Sequence, residues 1–301
     1  MNDFLENGFY EFPRGLDAGA ARALSRALRA QRKFDGTLFM EEGAYRANPV
    51  HLGVNPKPGR NILEQFAGEL DFVERDPVLV ETLTAVLGHG YEILLKKLIC
   101  GVPRSAVPEW VGKETADVMV NNLGPYIRPE YRDVTYFMGI DYHQDIIDWR
   151  NHPPDFVTLY VYLEPVGPED APLHILPKSH QLGATTFPHK VAGTGNAIRY
   201  GNDDGSETLT TSKKVLVGGA GYVAFWHSFL LHGTQPVCSG NARISLRYLI
   251  KQKDGVTGTL LDKVNERIRG NTMLSTTRVD YNIEAKPIVR GNVINPQGTN
   301  R

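Results

Sequence analysis

From about residue 135 to residue 250 the chain is a succession of short apolar segments, rich in β-branched and aromatic residues and broken by Gly and Pro turns. That spacing leaves little room for helices and suits two stacked layers of strand. Residues 156–163 (Phe-Val-Thr-Leu-Tyr-Val-Tyr-Leu) form the clearest central strand, and residues 221–226 and 242–250 read as two more. The pattern predicts an eight-stranded jelly roll of two four-stranded sheets, a double-stranded β-helix in a mainly β chain with flanking α-helices.

The N-terminal third reads differently. Asp17 is placed to cap a helix in which Ala20, Leu24, Ala27 and Leu28 form an apolar stripe, opposite Arg22, Arg26, Arg29 and Arg32 on a solvated face. A second helix has Asp76 as its cap, Pro77 at its first position, Val80, Leu83 and Leu87 inside and Gly88 to stop it. Both are expected to pack on the outside of the roll. Residues 91–100 read as a strand in which Lys96 and Lys97 are solvated, the alternative being that one of them points into a pocket. Nothing repeats, so a single domain is expected, with a helical part at about 1–130, the jelly-roll core at 131–252 and an extension at 253–301. That extension holds a short helix near 260–269 and a Pro/Asn/Gly-rich arm, a candidate interface segment. The Gly/Thr/Asn/Asp-rich stretch 183–213 is too long for an ordinary loop and is a candidate lid.

Within this frame, His143-Gln144-Asp145 follows an aromatic, strand-like run at 136–142. Residues at i and i+2 of a strand share one face about 7 Å apart, so both side chains can reach one metal ion. His232, in Leu231-His232-Gly233-Thr234, is the candidate third ligand from a distant strand; His227 would face the other way. Two histidines and one carboxylate hold non-haem Fe(II) on one face and leave positions open. An isolated His-x-Asp is common and also fits a surface turn. The last strand adds to it. Ile244, Leu246, Tyr248 and Ile250 alternate with Arg243, Ser245 and Arg247, so one face offers a guanidinium able to fork a carboxylate and a hydroxyl to assist it. The competing reading of that face is an edge strand with a solvated side.

These residues resemble the phytanoyl-CoA dioxygenase family of Fe(II)/2-oxoglutarate oxygenases. The likeness rests on His143-Gln144-Asp145, on Pro177-Lys178-Ser179-His180 where the family often has Pro-Gly-Ser-His, on His232-Gly233-Thr234 and on Arg243. It also takes in the opening Glu6-Asn7-Gly8-Phe9-Tyr10-Glu11-Phe12, and so runs over roughly residues 5–250. It implies a cupin-like jelly roll in which His143, Asp145 and His232 bind iron and Arg243 pairs with the distal carboxylate of 2-oxoglutarate. Thr234 and Ser245 are further candidates for that cosubstrate. Two departures are Lys178 in place of a glycine, and Asp170-Ala171 where Asn-Gly is frequent. The carboxylate at Asp145 implies a hydroxylase rather than a halogenase, which would have lost it.

The implied reaction is hydroxylation of an unactivated C–H bond of a small-molecule metabolite, with O2 consumed and succinate and CO2 released. Trp149, Arg150 and Tyr136 are the candidate substrate contacts, and Tyr160 and Tyr162 lie close to the ligand strands. Of the other histidines, His180 is expected to stabilise the turn after Pro177 and His174 to face out of a strand, while His51, His89, His152 and His189 read as loop or surface residues. With 33 basic and 34 acidic residues the net charge is −1, which points away from nucleic acid and anionic membrane. Two cysteines without Cys-x-x-Cys spacing, and no signal-like apolar start, make the cytoplasm the expected compartment. Desaturation, epimerisation or cyclisation by the same ligands, a cupin-type metalloenzyme without 2-oxoglutarate, and a non-catalytic binding jelly roll remain alternatives.

Overall fold

The computed structural model describes residues 1–47, 56, 59–116, 120–193 and 195–276, so His51 and the arm beyond 276 lie outside the described residues. In chain order the strands are β1 (Phe9–Glu11), β2 (Glu92–Gly101), β3 (Val120–Asn122), β4 (Thr135–His143), β5 (Phe156–Tyr162), β6 (Leu173–Ile175) and β7 (Lys190–Ala192). They continue with β8 (Ala197–Gly201), β9 (Thr208–Ser212), β10 (Lys214–Leu216), β11 (Val223–His227), β12 (His232–Thr234) and β13 (Arg243–Lys251). The eight strands of the expected roll fall into the orders β11-β5-β13-β2 and β4-β12-β6-β10. A short parallel pairing of β2 with β4 (Ile99 with Thr135, Gly101 with Phe137) joins the two halves into one ten-stranded sheet, with β1 added at β11 and β3 at β4.

Side-chain parity explains how the roll is filled. On β13, Ile244, Leu246, Tyr248 and Ile250 point outward into a core shared with Leu24, Leu28, Leu83 and Leu87 of the helices Ala18–Gln31 and Pro77–Leu87. Leu98 and Cys100 of β2, Val157, Leu159 and Val161 of β5, and Val223 and Phe225 of β11 join that outer core. Their neighbours in sequence, Ile99, Tyr160, Tyr162, Ala224 and Trp226, fill a second cluster inside the roll with Leu173 and Ile175 of β6. A sheet covered on both faces reads as an unbroken apolar run, as β5 does.

The helix caps form as expected. Asp17 accepts from Gly19 N (2.7 Å) and Ala20 N (3.0 Å), Asp76 accepts from Leu79 N (2.9 Å), and Gly88 ends its helix at φ 82°. The arginine stripe is only half solvated. Arg22 and Arg26 are exposed, but Arg29 forks Glu164 (2.7 and 2.6 Å) and bonds Ala242 O (2.6 Å), and Arg32 pairs with Asp133 and reaches the Tyr136 hydroxyl (3.2 Å). The end of the helix leans on the turns between strands, where those acceptors lie. The C-terminal helix is shorter than expected, Leu260–Asn265, and is opened by a Thr259/Asp262 capping box.

Both departures from the family pattern keep the backbone a glycine would supply: Lys178 sits at φ 69° and Ala171 at φ 53°. Gly233 is required for space instead. A Cβ there would meet Ile140 O at 2.7 Å and His174 Nε2 at 2.9 Å, because β12 is wedged between β4 and β6. Gly233→Val is therefore expected to destabilise the protein by about 1–3 kcal/mol, as overpacking does, and to displace His232. Denaturant melts together with a metal titration would check both effects, and an unchanged midpoint would contradict the packing argument.

Candidate metal centre

The polar face of β13 points into the roll. It is not an edge, since β13 pairs with β2 on one side and β5 on the other. Arg243 is 5 % exposed and Ser245 is fully buried. The pocket on this side is lined by Arg243 and Arg247 of β13, though not by Ser245, with Tyr160 of β5, Trp226 of β11 and Lys97 and Ile99 of β2. Its other wall carries Phe137, Ile140 and His143 of β4, Leu173 of β6, and His232 and Thr234 of β12, with Asp145 and Asp148 beyond β4.

His143, Asp145 and His232 meet there, with one ligand atom from each within 4.8 Å of the others. His143 and His232 are register partners across β4 and β12. Gln144 is extended (φ −102°, ψ 144°), so His143 and Asp145 emerge on one side, and the chain then enters a 3-10 turn at Asp145–Asp148. Nδ1 of His143 lies 3.0 Å from Asp141 O, and Nδ1 of His232 lies 3.0 Å from Leu230 O. A carbonyl only accepts, so Nδ1 carries the proton in both rings and Nε2 is left as the donor to a metal. His232 Nε2 is 3.6 Å from Asp145 Oδ1.

The carboxylate is held from three directions. Thr158 Oγ1 (2.6 Å) and Trp226 Nε1 (3.0 Å) donate to Oδ2, and Arg247 pairs with Oδ1. Burial works against the charge, but Arg247 and the Thr158 hydroxyl outweigh it, and the Asp145 carboxyl lies well below the usual carboxylate range. Burial lowers His232 despite the pull of Asp145, which keeps its ring neutral, the form a metal needs. The donor set, the tautomers and the ionised carboxylate all fit a facial iron site.

The cosubstrate side fits as well. The Arg243 guanidinium bonds only neutral acceptors, Ala171 O and the Tyr160 hydroxyl (3.3 Å), while its Nε is buried without a partner. No carboxylate forms an ion pair with it among the described residues. A buried cation without a counter-charge is costly and is suited to an anion arriving from outside. Ser245 Oγ, two residues along the same face, is also buried without a partner. Thr234 lines the pocket.

The expected substrate contacts are not brought to this pocket. Tyr136 points to the outer core and its hydroxyl meets Arg32, because it has the opposite parity to Phe137, which lines the pocket instead. Trp149 lies tilted against His152 (4.6 Å) and near Phe156 (5.8 Å), and Arg150 is exposed. The 3-10 turn after Asp145 takes the chain off the strand line, so Asp148 reaches the pocket and its two successors do not. Lys97, expected to be solvated, is 2 % exposed and lines the pocket, where burial and Arg247 push its ammonium well below the ordinary lysine value against the pull of Asp148 and Asp145. Lys96 faces outward and pairs with Glu74 (2.7 Å). Strand parity held the signal: Lys97 is in step with Ile99, and Arg247 with Arg243. The roles of Thr158 and Trp226 had no local signal.

His174, expected to face out, is 8 % exposed and packs edge-on against Tyr142 (4.8 Å). It lines a second, open groove with Gly139 and Pro236, walled on the far side by Ile198 and Lys213 of the 183–213 excursion; the groove shares Ile140 and Thr234 with the iron pocket. The excursion is not a plain loop, for it carries its own antiparallel sheet, β7-β8-β9. His152 bonds Asp155 (3.0 Å).

His227 and His180 lie away from the pocket, with rings 5.6 Å apart. Burial lowers His227 from the ordinary 6.5 to about 4, against the help of Asn265, and burial likewise depresses His180. Unfolding raises both values. The stability of the neutral pair is therefore complete above pH 6.5 and is lost as the pH falls toward about 4. His227 alone contributes about 3 kcal/mol to that loss, at 1.36 kcal/mol per unit. Thermal melts from pH 7.5 to 4 should show the decline, and His227→Gln should flatten it.

No curated protein sequence matches the chain. Among solved structures, the epimerase SnoN in complex with Fe3+, alpha ketoglutarate and nogalamycin RO superposes with a TM-score of 0.51 at 14% identity, over 83% of this chain and 81% of that one. The non-heme alpha ketoglutarate dependent carbocyclase SnoK from nogalamycin biosynthesis gives a TM-score of 0.50 at 13% identity, over 91% of each chain. These likenesses establish the jelly-roll fold. The family model of phytanoyl-CoA dioxygenase matches residues 128–245, the span that holds the triad and Arg243. Over that span the chain is similar to the phytanoyl-CoA dioxygenase family, and the His143/Asp145/His232 cluster lies within it.

Proposed function

We propose that this protein hydroxylates an unactivated C–H bond of a small-molecule metabolite, using Fe(II), 2-oxoglutarate and O2 and releasing succinate and CO2. The observation that carries the reading is the pairing, in one pocket, of the His143/Asp145/His232 cluster with Arg243, a buried cation lacking an acidic partner among the described residues. In it, His143 and His232 Nε2 and the Asp145 carboxylate hold the iron, Arg243 pairs with the distal carboxylate of 2-oxoglutarate, and Thr234 and Ser245 supply hydroxyls beside it. Iron and 2-oxoglutarate together supply the oxidising chemistry. The chain's residues orient and exclude water. Thr158, Trp226 and Arg247 fix the Asp145 carboxylate, the carbonyls of Asp141 and Leu230 fix the rings, and Phe137, Ile140 and Leu173 give the pocket an apolar wall where a C–H bond can lie. No helix among the described residues is long and apolar enough to cross a membrane. We place the enzyme in the cytoplasm, where ferrous iron stays reduced and Cys100 and Cys238 remain free thiols.

Anaerobic titration of the metal-free protein with Fe(II) and 2-oxoglutarate tests this reading. A weak visible charge-transfer band that needs both components and vanishes in His143→Ala is the expected result, followed by succinate release on metabolite screening. Iron binding without the band would favour a cupin-type metalloenzyme, and no iron binding by the folded protein would favour a binding jelly roll.

A further inference from the structure

The residue between the two ligands of β4 has an unexpected set of partners. The side chain of Gln144 is fully buried and points away from the triad. Its Nε2 donates to Gly183 O and to Phe229 O, both at 2.8 Å, and its Oε1 accepts from Thr185 N at 2.9 Å. Its backbone N–H donates to His189 Nε2 (3.2 Å). The Thr185 hydroxyl in turn meets His189 Nδ1 and the Tyr200 hydroxyl, each at 2.7 Å. Gly183, Thr185, His189 and Tyr200 all belong to the 183–213 excursion, and Phe229 lies in the turn that leads into His232.

The location matters because the β4–β12 ladder stops at His143. Beyond it, among the described residues, the backbone of residues 144–148 is tied across by one longer backbone bond, Ile146 N to Ser228 O at 3.3 Å. The extended conformation that sets His143 and Asp145 on one side is thus held from behind by the Gln144 side chain, opposite the Thr158, Trp226 and Arg247 partners of Asp145. We propose that Gln144 is a positioning residue that makes docking of the excursion and formation of the iron site one event: the excursion grips Gln144, Gln144 sets the His143/Asp145 pair, and iron binding tightens the excursion in return. Such coupling between two binding or folding events is reciprocal by necessity. The excursion also walls the groove that shares Ile140 and Thr234 with the iron pocket, so a substrate that presses on it is felt at the ligands. The inference rests on the reading of His143, Asp145 and His232 as metal ligands.

The test uses Mn(II) as an inert probe and the full-length chain in four forms: wild type, Gln144→Leu, Tyr200→Phe and His143→Ala. Mn(II) affinity is measured by titration, and amide hydrogen exchange is followed across residues 184–201 with and without the ion. Wild type should bind one Mn(II) and exchange more slowly in 184–201 when loaded. Gln144→Leu keeps the volume but strips four buried partners, the Tyr200 hydroxyl (3.4 Å) among them. It should weaken Mn(II) binding roughly 10–100-fold, the usual cost of losing a group that orients a ligand, and its excursion should no longer respond to the ion. Tyr200→Phe touches no ligand and should shift both readouts in the same direction by a smaller factor. Wild-type Mn(II) affinity in folded Gln144→Leu, or a full exchange response in it, overturns the inference; if Gln144→Leu does not fold, an unchanged Tyr200→Phe on both readouts overturns it. Absent Mn(II) binding in wild type, or undiminished binding in His143→Ala, overturns the ligand reading itself.

Discussion

Asp145→Ala should lose iron binding and, even without metal, should be less stable than wild type by about 3 kcal/mol, the lower end of the cost of breaking a buried ion pair. The lower end applies because the Arg247 side chain keeps 17% of its exposure while Asp145 keeps 2%. The effect has two sources that can be separated. Removing the carboxylate strands the Arg247 guanidinium and leaves Thr158 Oγ1 and Trp226 Nε1 without their acceptor. Asp145→Asn retains an oxygen for those two donors but no charge, so any stability it still lacks reports on Arg247. The double variant Asp145→Ala/Arg247→Met removes both charges and should recover most of the stability while remaining unable to bind iron, a non-additivity expected of contacting residues. Urea melts of the metal-free proteins measure this, and a metal-free Asp145→Ala as stable as wild type would mean that the ion pair does not form in solution.

Arg243→Ala should show the opposite signature. The guanidinium is buried among neutral acceptors with no acidic partner among the described residues, so the variant should be no less stable than wild type. Its affinity for 2-oxoglutarate should nevertheless fall by roughly thirtyfold to a few thousandfold, the 2–5 kcal/mol that truncating one partner of a buried charge pair costs. Fe(II) affinity should be nearly unchanged, since Arg243 donates nothing to the metal. Arg243→Lys should recover little, because an ammonium cannot reproduce the planar fork. The charge-transfer titration reads both affinities in one experiment. Undiminished dependence on 2-oxoglutarate in Arg243→Ala would move the cosubstrate to another cation of the pocket, Lys97 or Arg247.

Much of this site was legible because strand geometry is periodic. The two-residue spacing of His143 and Asp145 and the alternation of Arg243, Ser245 and Arg247 with Ile244, Leu246 and Tyr248 follow from side chains that alternate faces, whereas His227 and His232 are parted by the turn between β11 and β12. The same rule applied to β2 would have turned Lys97 inward beside Ile99; a lysine in a strand was instead given its commoner solvated reading. Tyr136 was misplaced for the converse reason, proximity in sequence having been weighed above parity. Trp149 and Arg150 could not have been excluded locally, because the 3-10 turn that carries them away begins only at Asp145 and is held by partners more than thirty residues distant, such as His189 and Ser228.

By itself, then, the sequence singled out His143, Asp145, His232 and Arg243 as candidates and put His143 with Asp145, and Arg243 with Ser245 and Arg247, on common faces, since both inferences depend on residue type and a period of two. Only the tertiary structure decided how that chemistry is held: Thr158, Trp226 and Arg247 around Asp145, an Arg243 with no ion-pair partner among the described residues, and a Gln144 fastened to the excursion. Those partners come from separate strands and loops, and a pairing set by how a sheet curls leaves no periodic trace in the chain.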